Sequence, residues 1–314
     1  MSEISVVLPV YNGEAYVALA IESILEQSFD DFELIIVNDC STDSTLDIIT
    51  RYSNEDSRIK IINNKFNKKL PQSLNVGFRH ASGNYFTWTS DDNILKKDCL
   101  EYLFYHLSSS KTDIVYADVE EIDDNGNFIE IHKRNHPLCN LCFENVIGAC
   151  FLYKKEVHLK NNGFKTNLFL LEDYDFWVRA WLNGFKYSYL NKILYKYRRH
   201  LKSLSKQYVE RVSFLRLIYI RNMIDIYSKD NNLKNLAENE IDLLCNNFYY
   251  YEDSSKNFYE NIELHPFNLY NYRELVIQYL NSNLPNEAKK TLDILMTAFP
   301  NWQEGYELYS SKRR

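Results

Sequence analysis

Glycine is scarce in this 314-residue chain, at 8 residues, and no G-x-G-x-x-G follows its first β-rich run. A dinucleotide cofactor, whose pyrophosphate needs that close backbone approach, is therefore not expected. A Gly-rich, basic phosphate loop is missing there too, and Tyr11-Asn12-Gly13-Glu14 stands in its place. No apolar run is long enough to span a bilayer. No signal peptide precedes Ile4, because the first strand starts almost at once. The six cysteines (Cys40, Cys99, Cys139, Cys142, Cys150 and Cys245) follow no disulfide-scaffold spacing. They are expected to be reduced thiols of a cytoplasmic protein. Cys139 and Cys142 form one CxxC pair without the two further ligands a zinc site needs. Positive charge is also short: the formal net charge is −7, which argues against nucleic acid as a partner.

The composition is otherwise that of a globular protein, with 45% hydrophobic and 25% charged residues. The length suits one large domain or two. Tyrosine is abundant at 25 residues. Most of these suit a core or its rim, where only the hydroxyl needs a partner.

The run from Ile4 to Val10 reads as a buried strand, broken by Tyr11-Asn12-Gly13. Val17, Ala20, Ile21, Ile24 and Leu25 then recur at helical spacing. Residues 32–38 form the next strand, ended by the polar turn 39–43. Ser41 to Ser44 offers N-cap candidates for a helix over 46–52. A strand over 58–62, a helix over 70–80 and a strand over 85–89 follow, and the last runs into Ser90-Asp91-Asp92-Asn93. This strand–helix alternation predicts a mostly parallel α/β sheet with a ligand crevice at the strand C-terminal ends. Strands at 113–122 and 128–132 flank Asp124-Asn125-Gly126, a hairpin signal. A strand is expected over 145–154, a helix over 173–183 and a strand over 187–197. Four amphipathic helices are expected after that, over 209–228, 233–251, 269–281 and 287–299. The turn 282–286 makes the last two resemble one tetratricopeptide-type hairpin. A domain boundary falls near 205, giving a first domain over 1–205 and a helical one over 206–314.

Four groups could carry chemistry. Asp39 ends the second strand, where a carboxylate can take a base N–H or a ribose hydroxyl; a plain turn residue is the equal alternative. Asp91 and Asp92 are adjacent acids at a strand tip, and a hard divalent cation would offset their repulsion. The bland alternative is a loop with one acid capping a helix after Asn93. Glu172-Asp173 opens a helix, and the dipole would keep Asp173 ionised, as a general base must be. Arg198-Arg199-His200 lies in a stretch, 176–209, with eight Lys or Arg and no acid. That stretch could face phosphates or an anionic membrane surface, or be a solvated face.

In this order the motifs resemble the glycosyltransferases of family 2, which have the GT-A (nucleotide-diphospho-sugar transferase) fold. The resemblance rests on Val7-Leu-Pro-Val-Tyr-Asn12, Val37-Asn-Asp-Cys-Ser-Thr-Asp43, Leu74-Asn75-Val-Gly77 with Ala81-Ser-Gly83, Thr89-Ser-Asp91-Asp92-Asn93, Glu172-Asp173-Tyr-Asp175-Phe-Trp, and Tyr197-Arg-Arg-His200. It covers about residues 1–205. It implies an inverting transfer from a nucleotide-diphosphate sugar, most often a UDP-sugar, to a glycan, lipid-linked or protein acceptor in polysaccharide biosynthesis. It implies Asp173 as base, and Mn²⁺ or Mg²⁺ held by Asp92 and Asp91 with His200 as a further contact. Pro9, Tyr11, Asn12, Glu14, Asp39, Asn75, Asp91, Glu172 and Arg199 become the nucleotide and substrate positions. Thr89 stands where the commoner family motif has an acid, so metal and nucleotide are expected to bind cooperatively. The lack of a bilayer-spanning run argues against the membrane-embedded processive synthases and leaves a cytoplasmic or peripheral enzyme at the inner membrane face. Its helical tail could form a homo-oligomer or dock on a partner. The competing readings are a degenerate GT-A domain acting as a scaffold, and a nucleotidyltransferase.

Overall fold

The computed structural model describes residues 2–201, 203–204, 209–227, 234–235, 237–238, 269–282 and 284–298. It divides into two compact units, Met1–Leu201 and Lys202–Arg314. The first unit is a nine-stranded sheet with helices on both faces. Its elements are β1 (Ile4–Val10), α1 (Val17–Leu25), β2 (Phe32–Asn38), α2 (Thr45–Glu55), β3 (Ile59–Asn63), α3 (Leu70–Arg79) and β4 (Tyr85–Trp88). They continue with β5 (Ile94–Leu95), α4 (Cys99–Ser109), β6 (Ile114–Ile122), β7 (Phe128–His132), a 3-10 turn (Leu138–Cys142), β8 (Phe151–Lys154), α5 (Lys155–Asn161), α6 (Glu172–Leu182) and β9 (Tyr187–Arg198).

β1 and β2 are buried along their whole length, as strands covered on both faces must be. Successive side chains alternate between two cores. Val6 and Leu8 of β1 join Leu34 and Ile36 of β2 under α1, α2 and α4. Val7, Ile35 and Val37 face the opposite way, with Leu74 and Phe78 of α3 and Phe176 and Trp177 of α6.

The sheet order is β3-β2-β1-β4-β8-β6-β9-β5, with β7 on β6. The half formed by β3, β2, β1 and β4 is parallel as expected. The other half is mixed: β8 is antiparallel to both β4 and β6, while β9 is parallel to β6. Two reversals return β6 and β9 to the direction of β1. The C-terminal ends of β1, β2, β4, β6 and β9 therefore share one edge of the sheet.

Three expectations are corrected. The strand proposed over 145–154 begins only at Phe151. Asn145 Oδ1 accepts from the N–H groups of Ile147 and Gly148, both at 3.2 Å, and Gly148 takes φ +71°. That side-chain turn replaces a strand ladder. No helix follows Asn93 directly: Ile94 and Leu95 pair antiparallel with Lys196 and Tyr195. In the second unit the turn proposed over 282–286 is shorter, because Pro285 opens the last helix.

The described part of that unit comprises α7 (Val209–Tyr227), α8 (Leu269–Asn281) and α9 (Pro285–Ala298). Leu275 and Val276 of α8 and Ala288, Leu292 and Leu295 of α9 are buried. The helix expected over 233–251, with Cys245 and the three tyrosines 249–251, lies outside the described residues except at 234–235 and 237–238.

Candidate active site

The loops after β1 and β2 are stitched together at the shared sheet edge. Asn12, at φ +53°, accepts the Thr42 N–H at 2.8 Å and gives its own N–H to Ser41 Oγ. Asparagine tolerates this left-handed conformation better than most residues. Gly13 donates to Thr45 Oγ1 at 2.9 Å, and Glu14 accepts from the Ser44 N–H at 3.0 Å. Of the expected N-caps, Ser44 makes no capping bond; Asp43 binds the Thr45 N–H instead. Pro9 lies two residues past Val7, whose carbonyl takes the last β4-side bond, from Thr89. Pro9 has no N–H with which to continue that ladder, so the β1–β4 pairing ends there. Tyr11 is half exposed beside this edge.

Asp39 is buried at the end of β2. Its carboxylate accepts from Asn64 Nδ2 (2.8 Å) and from the backbone N–H groups of Lys68 (2.8 Å) and Lys69 (2.9 Å). These bonds fix the loop before α3. An ionised carboxylate offers about four acceptor positions, so one remains for a ligand N–H.

Asp91 and Asp92 follow β4 on the same edge. A Cβ at Gly13 would lie 2.0 Å from Asp91 Oδ2, so the first loop lies directly against this acid. Burial, and then the charge of Asp92, push the Asp91 carboxyl up to about 7. His200, just past the end of β9, bonds Asp92 Oδ2 through Nε2 at 2.9 Å. That bond raises the imidazole above its ordinary value. Asp92 Oδ1 is buried with no hydrogen-bond partner among the described residues. A buried, unpaired carboxylate oxygen beside a second carboxylate fits a hard cation. Thr89 contributes no ligand here, because its hydroxyl is bonded to Tyr195 Oη at 2.6 Å.

Asp173 sits in the first turn of α6, half buried. Its Oδ2 accepts from Asn145 Nδ2 at 2.8 Å, and its Oδ1 from the Tyr174 N–H at 2.7 Å. Glu172 is buried and accepts the Leu170 N–H at 2.7 Å. Burial raises both carboxyls, and the Asp173 charge helps push Glu172 to about 8. The loop 145–150 that carries Asn145 leads into β8, antiparallel to β4. Thr87 of β4 donates to the Phe151 carbonyl at 2.7 Å. The loop therefore emerges beside the end of β4, on the edge where Asp91 and Asp92 follow.

Two expected site residues are engaged elsewhere. Asn75 bonds the Phe164 backbone at both its N–H (2.8 Å) and its carbonyl (2.7 Å), which latches the loop after α5. Arg199 is exposed and pairs with Glu121 at 2.7 Å. Glu121 also meets His132 (2.8 Å), and with Glu130 these form the group of three potential metal ligands found among the described residues. The Arg199 guanidinium already compensates that cluster. The neighbouring Arg198 is the buried one. It donates to the carbonyls of Asp92, Asp123 and Asp124, all at 3.0 Å, and lies over the Tyr16 ring. Arg198 stands in the predicted group 198–200, although Arg199 and His200 were the expected ligand contacts; Asn145 was expected only to open a strand, and no sequence signal marked it.

The family model described as Glycosyl transferase family 2 matches residues 5–173. An uncharacterized glycosyltransferase of Haemophilus influenzae is 28% identical over 266 residues, covering 75% of this chain and 79% of that protein. The poly(ribitol-phosphate) beta-N-acetylglucosaminyltransferase TarS of Staphylococcus aureus is 28% identical over 233 residues, covering 70% of this chain and 40% of TarS. The structure of TarS residues 1–349 with UDP-GlcNAc matches at a TM-score of 0.62 and 20% identity, over 94% of this chain and 81% of that one. The mannosyltransferase PcManGT of Pyrobaculum calidifontis, solved with GDP-Man and Mn²⁺, matches at a TM-score of 0.55 and 12% identity, over 96% and 87%.

Proposed function

We propose, from the premise that this chain belongs to glycosyl transferase family 2 and is a glycosyltransferase with the GT-A fold, that it is an inverting enzyme using a UDP-sugar. The observation that carries this reading is the meeting of two acidic groups on one sheet edge. Asp91 and Asp92 arrive on the loop after β4, and Asp173 arrives on α6, tied through Asn145 to the loop beside β4.

Asp39 would hold the base, with its carboxylate already oriented by Asn64, Lys68 and Lys69. Asp92 and Asp91, with His200 turned from its hydrogen bond, would hold Mn²⁺ or Mg²⁺. When bound, that ion would neutralise charge on the diphosphate leaving group. Pro9, Tyr11, Asn12 and Glu14 line the nucleotide side. Asn75 and Arg199 act by holding loops, and Glu172 by holding the turn at Leu170 that leads into α6. Asp173 would take the proton of the acceptor hydroxyl as its oxygen attacks the anomeric carbon from the face opposite the diphosphate. The C–O bond to the diphosphate breaks, UDP leaves, and the anomeric configuration inverts.

The acceptor would be a glycan, lipid-linked or protein hydroxyl in polysaccharide biosynthesis at the cytoplasmic face of a membrane. Residues 1–205 would be the catalytic domain. Residues 206–314 would form a helical domain, tetratricopeptide-like at its end, that recognises the acceptor or a second copy. TarS offers a precedent for a UDP-GlcNAc donor. The test is calorimetric titration with UDP, GDP, dTDP and CMP, each with and without Mn²⁺. Metal-dependent binding of UDP alone supports the reading. Binding of another nucleotide replaces the donor, and no binding by any favours a scaffold role.

A further inference from the structure

Arg134, in the segment after β7, is a partly buried cation with no part in the proposed mechanism. Its backbone N–H is anchored on Asp118 Oδ1 at 2.7 Å, and Asp118 is fully buried in β6. Its guanidinium makes no hydrogen bond or ion pair among the described residues, and its Nε is buried without a partner. The group instead lies flat against the backbone of Gly148. A Cβ there would come within 2.7 Å of Nε, 2.8 Å of Cζ and 3.0 Å of Nη2. Gly148 belongs to the turn built by Asn145 Oδ1, and the Nδ2 of that same amide donates to Asp173. Contacts thus run without a break from Arg134 through Gly148 and Asn145 to Asp173.

We propose that Arg134 is a positioning residue for Asp173: it seats the turn at 145–148 that hydrogen-bonds this carboxylate, and supplies the positive charge facing it. The proposal rests on the reading of Asp173 as the base. The groups facing Asp173 are Glu172 on its own helix, Asn145, and Arg134. Arg134 in turn faces Tyr197 of β9, Glu121 and Asp118 of β6, and Glu144. Burial opposes ionisation of Asp173. Arg134 and the Asn145 amide favour it. A charge that balances a carboxylate without binding it takes up none of the acceptor positions that the Asn145 amide and the Tyr174 N–H leave open.

The test titrates the Asp173 carboxyl by ¹³C NMR in the full chain, with the resonance assigned through Asp173→Asn. Arg134→Gln should raise the midpoint by about one pH unit, a tenfold loss of ionised base below it. Arg134→Lys, which keeps the charge, should recover at least half of that shift. An unchanged midpoint in Arg134→Gln overturns the proposal. Should that variant not fold, Asn145→Ser gives the same decision, with a raised midpoint expected and an unchanged one fatal. The base reading is judged separately, by UDP release from UDP-GlcNAc with water as acceptor. If Asp173→Asn releases UDP at the wild-type rate, that reading fails whatever Arg134 does.

Discussion

At the residue scale, the acids of one motif differ in what compensates them. Asp175 belongs to the same motif as Asp173, yet it is fully buried and ion-paired to Arg179 and Lys165. Asp173 lacks such a cation in contact, which suits the proposed base better. Asp173→Asn keeps the hydrogen bond from Asn145 possible but cannot accept a proton. It should lower turnover by about 10² to 10⁴ while leaving UDP affinity within about twofold, read by initial rates and calorimetry. The pH dependence follows from burial. Glu172 is pushed up to about 8 in part by the Asp173 charge, so Asp173 gives up its proton first, over a range that burial raises above that of an exposed aspartate. The proposed base must be ionised, so kcat/KM should fall as pH drops through the raised range of Asp173. A flat profile from pH 4 to 8 would refute this. Gly13 makes a different prediction. An alanine methyl would collide with Asp91 Oδ2 at 2.0 Å and Val10 Cγ2 at 2.7 Å. Gly13→Ala should therefore displace Asp91 and weaken Mn²⁺-dependent UDP binding by at least about tenfold, with a loss of stability of about 1–3 kcal/mol. Sequence motifs made Asp39, Asp91, Asp92, Asp173 and His200 legible, because ionisable residues at strand and helix ends are visible in one dimension. The division of labour between Arg198 and Arg199 was not legible. It depends on which of two adjacent β9-end side chains turns inward.

At the element scale, hydrophobic periodicity located β1, β2, α1, α3 and α6 to within a residue or two, because their apolar faces are continuous, while the Asp124-Asn125-Gly126 turn located the β6–β7 hairpin, whose second strand is exposed. It failed where side-chain chemistry overrode it, as at Asn145, whose amide makes a turn in an otherwise strand-like run. It also passed over β5, which exists only through its pairing with β9. A buried polar link ties the parallel strands together. Glu33 of β2 accepts from Ser5 Oγ of β1 (2.7 Å), from the Ser82 N–H (2.6 Å) and hydroxyl (2.7 Å), and from Lys60 Nζ of β3 (2.6 Å). Burial alone would raise this carboxyl, but the Lys60 ammonium and the serine donors outweigh it and hold it down to about 2. A depressed carboxyl stabilises the fold above its unfolded value near 4.5, and that contribution is lost as pH falls toward 2. Glu33→Gln should cost about 2 kcal/mol at pH 7 and less than 1 kcal/mol at pH 2.5, measured by urea denaturation. Equal losses at both pH values would mean that packing, not charge, is what Glu33 supplies.

At the scale of the whole molecule, charge is distributed against its appearance in the sequence. The run 176–209 reads as a basic surface, with eight cations and no acid. In the fold, Arg179 pairs with Asp175, Lys196 with Glu120, and Arg199 with Glu121, while Arg198 is buried against carbonyls. Asp175 lies just outside the run, four residues before Arg179, but Glu120 and Glu121 are distant in sequence, and a linear reading does not show that they neutralise Lys196 and Arg199. Lys186 and Lys192 remain, with Lys192 over the Tyr102 ring, and Lys202 and Lys206 lie outside the described residues. At about 1 kcal/mol per cation near an anionic surface, four would give at most about 4 kcal/mol, before repulsion from the net charge of −7. Any attraction of this run to a membrane is therefore weak and screened by salt. The chain should sediment with phosphatidylserine-rich vesicles at about 20 mM salt and lose most of that binding at about 150 mM. Lys186→Glu with Lys192→Glu should weaken the low-salt binding further. Tight binding that survives physiological salt and both substitutions would instead place the membrane contact on another surface.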